Sequence, residues 1–139
     1  MRSVLLPCLL LIACATVAVT PATRAPDWAA LADESTVVLV TRDADGDERV
    51  TTVWLVVVDG EGFIRTGATR WFANLERDPR LGFRAAGSEY PLAVEFVRDP
   101  EVGARVDAAF RAKYGFANSV VTFFRRDPKR MRLVSRSGG

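Results

Sequence analysis

The chain has 139 residues, with 19 Lys and Arg against 17 Asp and Glu, a net charge of +2 and no histidine. That length fits one domain, and two near-equal, interspersed sets of charges argue against a nucleic-acid partner. Without histidine there is no histidine triad, no histidine acid–base catalysis and no histidine metal ligand, and no metal site is expected.

The N-terminus starts with Arg2 and runs on as Val4-Leu5-Leu6-Pro7-Cys8-Leu9-Leu10-Leu11-Ile12-Ala13. A basic start before a short apolar core reads as a secretory signal. The run is too short to cross a bilayer, which takes about 20 apolar residues. Leu11-Ile12-Ala13-Cys14 resembles the lipobox of bacterial lipoproteins, whose cysteine is lipidated and becomes the new N-terminus. The expected organisation is a signal over 1–14, a tether over 15–26 and one domain over 27–139. Plain cleavage after Ala22 or Ala25 is the alternative to lipidation of Cys14. Both cysteines, Cys8 and Cys14, fall in the signal, so the mature domain has no disulfide. The expected location is the periplasm or cell envelope, with membrane contact only through the lipid. Arg2 alone does not make a twin-arginine signal, so the chain would cross unfolded and acquire any cofactor outside.

Beyond the tether, Pro26 to Ala32 is a short helix capped by Asp27. Ser35 to Thr41 is a strand rich in β-branched residues, and Asp43-Ala44-Asp45-Gly46-Asp47 is a turn. Its acidic spacing is superficially that of a calcium loop, but the downstream acidic ligand is missing. Arg49 to Val58 reads as one long strand ended by Asp59-Gly60-Glu61-Gly62, so these β-runs form a hairpin. Phe63 to Thr66 is the next strand. Thr69 caps a helix from Arg70 to Arg77, with Trp71 and Leu75 on one face and Pro79 as the stop.

Strands follow at Arg80 to Ala85 and Pro91 to Val97. Asp99-Pro100-Glu101 opens a helix with a cap, a first-position proline and an acid in the first turn. Val102, Val106, Ala109 and Phe110 share its apolar face, and Gly115 ends it. Val120 to Phe124 and Met131 to Val134 read as two last strands. Many short strands with two or three helices suggest a mainly β barrel or α+β fold, not a doubly wound parallel sheet.

Arg49, Arg65 and Arg70 fall at a strand start, a strand end and a helix start, beside Thr51, Thr52, Thr66 and Thr69. A helix N-terminus flanked by guanidinium forks makes a phosphate pocket. The same residues would equally serve a solvated barrel surface and its turns.

The stretches Arg49 to Gly60, Phe63 to Thr66 and Thr69 to Leu81 resemble the pyridoxamine 5′-phosphate oxidase-like split-barrel superfamily, over roughly residues 35–125. Members often carry an Arg-x-x-Pro-hydrophobic strand, a strand ending in Thr and a basic residue before Asn-Leu-x-x-(Asn/Asp)-Pro. Val106 to Gly115 is similar to an uncharacterised bacterial branch. The resemblance implies a split β-barrel homodimer that holds flavin mononucleotide or a deazaflavin at its interface and acts as an oxidoreductase on a small organic substrate. It further implies that Arg49 and Arg70 hold phosphate, that Thr66 and Thr69 assist, and that the backbone of Val50, Thr51 and Thr52 runs along the ring. Arg65 is a weaker candidate because it points away from Thr66 across the pleat. Trp71 is a candidate to stack on the ring, although a tryptophan on a helix face is more often core.

Two departures bear on the cofactor. Thr52 stands where the family has proline, and Arg70 is followed by bulky Trp71 and Phe72. They leave open flavin mononucleotide, a deazaflavin or no cofactor. The alternative is a non-enzymatic envelope module that uses the barrel to bind a small molecule or partner. Haem is a further variant, lacking its commonest axial ligand.

Overall fold

The computed structural model describes residues 18–124 and 127–136, with the side chains of 119–124 excepted. The apolar stretch expected to be a signal, with Cys14, lies outside them. Eight strands and three helices follow in the order β1 (Thr20–Pro21), α1 (Trp28–Leu31), β2 (Val37–Arg42), β3 (Glu48–Val53), β4 (Val56–Val58), β5 (Glu61–Thr66), α2 (Arg70–Arg77), β6 (Arg80–Ala85), β7 (Ser88–Phe96), α3 (Pro100–Phe124) and β8 (Lys129–Ser135).

The strands form one sheet in the order β3-β2-β6-β7-β8-β5-β4. All its neighbours are antiparallel except β1, which lies parallel to β7 through Thr20 and Pro21, inside the stretch expected to be a tether. The strands at the two ends of this order, β3 and β4, are consecutive in sequence, so the sheet curls back on itself as a half-barrel. This is the split β-barrel expected from the sequence.

The expected long strand from Arg49 to Val58 is broken. β3 ends at Val53 and β4 begins at Val56, with Trp54 and Leu55 between them. The break is held from outside the strand: Leu55 N–H donates to Tyr114 Oη at 3.1 Å, and Lys113 Nζ donates to Leu55 O at 2.8 Å. The β2–β3 hairpin forms as predicted, closed by Asp43 N to Asp47 O at 2.9 Å with Gly46 at φ 93°.

A second correction concerns Val120 to Phe124, which continue α3 instead of forming a strand. β8 alone fills the sheet position between β5 and β7, pairing with both. Gly115 does interrupt α3 as the sequence suggested, at φ 53° and ψ −125°. Pro91 sits mid-strand in β7, in the gap where its neighbour changes from β1 at Ser88 and Glu89 to β8 from Leu92 onward. A residue without an N–H is tolerated at such a gap.

The inside of the curl carries the core. Leu39, Leu55, Ile64, Leu81, Phe83, Leu92 and Met131 pack there against Leu31 of α1 and Trp71, Phe72 and Leu75 of α2. A second cluster seats Val106 and Phe110 of α3 on Val56 and Phe63. The predicted apolar face of α3 is therefore the one that packs. Burying Leu or Phe side chains of this kind stabilises by about 1.5–3 kcal/mol each.

Candidate functional site

A cavity of about 260 Å3 opens where the β3–β4 break, the end of β5, the start of α2 and the middle of α3 meet. Five residues singled out from the sequence border it: Thr51, Thr52, Arg65, Thr66 and Trp71. Val53, Trp54 and Phe110 complete the lining. Arg49, Val50, Thr69 and Arg70 are not among its walls.

Each of those four has its own setting. Arg49 is clamped by Asp43, its Nε on Oδ1 at 2.8 Å and Nη2 on Oδ2 at 2.7 Å. The Arg49 hydrogen bond, joined by one from Asn74, lowers the Asp43 pKa to about 2. Val50 is 57% exposed on the edge strand. Thr69 caps α2, accepting from Phe72 N at 3.4 Å, and its hydroxyl lies 3.3 Å from that of Thr66. Arg70 is exposed, and among the described residues it has no hydrogen bond or ion pair.

Arg65 and Thr66 point to opposite faces of β5, as the pleat requires. Thr66 is buried within the curl, and Arg65 lies under α3 with its side chain 9% exposed. There Arg65 Nη1 donates to Asp107 Oδ1 at 3.0 Å and Nη2 to Asn118 Oδ1, while its guanidinium carbon stands 4.4 Å from the Phe110 ring centroid. Arg130, the cross-strand partner of Arg65, also donates to Asp107 Oδ1, at 2.8 Å. Burial raises the Asp107 pKa, but hydrogen bonds from Arg130 and Arg65 outweigh it and hold the carboxyl below its ordinary value.

The aromatic wall is also built from a distance. Trp54 stacks on Tyr114 at 4.2 Å and 5°, and Tyr114 in turn faces Phe110 at 5.9 Å. The Tyr114 hydroxyl reaches Ser35 O at 2.8 Å and Leu55 O at 2.9 Å, and burial pushes its pKa up. Lys113 Nζ donates to Glu34 O at 2.6 Å, and burial lowers its pKa. Sequence reasoning placed Lys113 and Tyr114 only within the stretch from Val106 to Gly115, ahead of the helix stop. It missed Asp107, Phe110, Tyr114 and Asn118 as parts of the site, because nothing local ties them to β5 or to the β3–β4 break.

A larger hollow of about 500 Å3 lies near β1 and the ends of β2 and α2. Its charged side chains are taken up locally: Arg42 with Glu48, Arg80 with Asp78, Glu89 with Arg84, and Arg136 with the Leu81 and Leu92 carbonyls. The smaller cavity is lined by three aromatic side chains and the largely enclosed Arg65.

The family model described as "Uncharacterized protein conserved in bacteria (DUF2255)" matches residues 27–133. The chain belongs to this family. Among solved structures, this DUF2255 chain is similar to a conserved hypothetical protein of Mycobacterium tuberculosis, at TM-score 0.59 and 25% identity over 81% of this chain and 82% of that one. The heme storage protein HutZ of Vibrio cholerae is similar at TM-score 0.58 and 22% identity, over 75% and 83% of the two chains. A FAD-binding protein of Mesorhizobium loti is similar at TM-score 0.56 and 12% identity, over 77% and 83%. A putative pyridoxamine 5′-phosphate oxidase of Listeria innocua is also among the structural neighbours of this DUF2255 member. No curated protein matches the chain.

Proposed function

We propose that the chain binds a flavin-type cofactor, flavin mononucleotide or a deazaflavin, in the cavity beside the β3–β4 break. The observation that carries this reading is the convergence of Trp54, Trp71 and Phe110 with Arg65 and two strand threonines on one cavity. Similar folds include heme-storage and FAD-binding proteins, so a small cofactor suits the barrel.

The residues present fit a ring and one phosphate. Trp54, Trp71 and Phe110 offer apolar faces that exclude water, and the extended backbone of Thr51 to Val53 passes alongside. Arg65 is a fixed donor, oriented by Asp107 and Asn118. For phosphate, the start of α2 and the uncommitted Arg70 are the fitting pair. Arg49 is occupied by Asp43, so its part in phosphate binding would require opening that clamp. A bound flavin supplies the redox chemistry, and the protein's share is placement and electrostatics.

A volume of about 260 Å3 falls short of the roughly 300–1,000 Å3 of typical ligand pockets, which supports a homodimer in which a second copy completes the wall. Val50, exposed beside Thr51 on edge strand β3, would sit at that interface. Flavin is favoured over haem because none of the usual axial ligands, His, Cys, Met or Tyr, is among the residues that line this cavity. An export signal with lipidation at Cys14 would put the barrel at the cell envelope, where it would load its cofactor after translocation. Oxidoreduction of a small organic substrate is the activity this arrangement suits.

The test is the absorption spectrum of the purified chain on titration with flavin mononucleotide, a deazaflavin and haem. A perturbed flavin or deazaflavin band is expected, with weaker binding by Arg70→Ala. A chain that binds neither flavin nor deazaflavin refutes the proposal, and equal binding by Arg70→Ala removes Arg70 from the phosphate site.

A further inference from the structure

We propose that the cavity selects a planar aromatic ligand bearing a negative charge, and that Arg65 is the selecting group because its positive charge is only half neutralised. The proposal rests on the reading of the cavity as a ring site and adds the charge of what it accepts.

Arg65 and Arg130 face each other across the β5–β8 pair, and both donate to Asp107. One carboxylate thus serves two guanidiniums. The remaining partner of Arg65, Asn118, is neutral. Asp127, the other carboxylate that acts on Arg130, is itself paired with Lys129 Nζ at 2.6 Å. No acidic residue lines the cavity, whose polar walls besides Arg65 are threonines.

The cluster therefore keeps an excess positive charge, and Arg65 is the member that borders the cavity. Its side chain is 9% exposed, so water screens this charge poorly. Asp107 and Asn118 hold the guanidinium in place, which fixes where a negative group would dock. A cationic ring would meet like charge between three aromatic walls, and a neutral one would leave the excess unmatched.

The experiment uses a matched pair of probes, anilinonaphthalene sulfonate and neutral N-phenylnaphthylamine, which share a ring framework and differ in the sulfonate. Binding to the full chain is read by quenching of tryptophan emission, since Trp54 and Trp71 border the cavity. The wild-type chain is expected to bind the sulfonate about ten-fold more tightly, the size of one partly screened charge pair. In Arg65→Met, Asp107 keeps Arg130 as its partner, and the preference should vanish. In Arg130→Met the Arg65–Asp107 pair becomes balanced, and the preference should fall while the neutral probe binds unchanged. This second variant decides the matter should Arg65→Met not fold.

Equal binding of both probes by the wild-type chain would overturn the proposal and leave the ring site standing. A preference that survives both substitutions would likewise overturn it. Binding of neither probe would overturn the ring site and the proposal together.

Discussion

Asp107 is where the stability of the fold and the chemistry of the cavity meet, and Asp107→Asn tests both. The substitution keeps the size of the side chain and removes its charge, leaving the Arg65 and Arg130 guanidiniums opposed across β5 and β8. Removing one partner of a fully buried ion pair costs about 3–5 kcal/mol. Here the side chains are 9% exposed for Arg65 and 26% for both Arg130 and Asp107, so water relieves part of that cost. With the cost discounted for that exposure, a loss of about 2–3 kcal/mol is expected, or a Tm lower by roughly 6–12 °C. Urea unfolding at pH 7 measures it. The pH dependence adds a second reading. The Asp107 pKa is lower in the folded chain than the ordinary carboxylate value, so the stabilisation is complete above that ordinary value. It disappears as pH falls through the folded value, and the gap between wild type and Asp107→Asn should narrow from pH 7 towards pH 3. A loss below about 0.5 kcal/mol at pH 7, within the scatter of ordinary surface substitutions, would refute the bridging role. So would a gap that does not change with pH.

Three further substitutions probe the frame around the cavity. A Cβ at Gly62 would lie 2.4 Å from the Trp28 ring, so Gly62→Ala should cost about 1–3 kcal/mol in chemical denaturation. Gly115→Ala forces an L side chain into φ 53° and should cost about 1–2 kcal/mol, read from the thermal midpoint. Tyr114→Phe removes the hydroxyl contacts with Leu55 and Ser35 and should cost about 1–2 kcal/mol. Because that hydroxyl also holds Leu55 at the break beside Trp54, which lines the cavity, the same variant should also bind flavin several-fold more weakly in a fluorescence titration.

Local chemistry made much of the fold legible in the sequence. Asp27, Thr69 and Asp99 cap helices as their side chains predict, and Gly46 and Gly115 mark a turn and a helix break through positive φ. Trp71 and Leu75 share the buried face that their spacing gives them. What was not legible depends on partners far along the chain. The apolar run from Val50 to Val58 carries no sign of the break at Trp54–Leu55, because Tyr114 and Lys113 make it from α3. Val120 to Phe124 have strand-forming composition, yet they continue α3, and β8 alone pairs with β5 and β7. At the candidate site, five of the residues singled out by type, Thr51, Thr52, Arg65, Thr66 and Trp71, border one cavity. Arg49 is paired with Asp43 away from the cavity and Arg65 with Asp107 at its border, and neither pairing can be read from spacing.

The central claim is that the cavity beside the β3–β4 break is where the ligand binds, and blocking that cavity tests it most directly. Thr51 lines the cavity from edge strand β3, where a large aromatic residue is compatible with strand geometry. Flavin mononucleotide binding should be measured by tryptophan quenching for the wild-type chain and for Thr51→Trp, with far-UV circular dichroism confirming that both are folded. The account predicts saturable binding by the wild type and its loss in the folded variant. Undiminished binding by Thr51→Trp would contradict it.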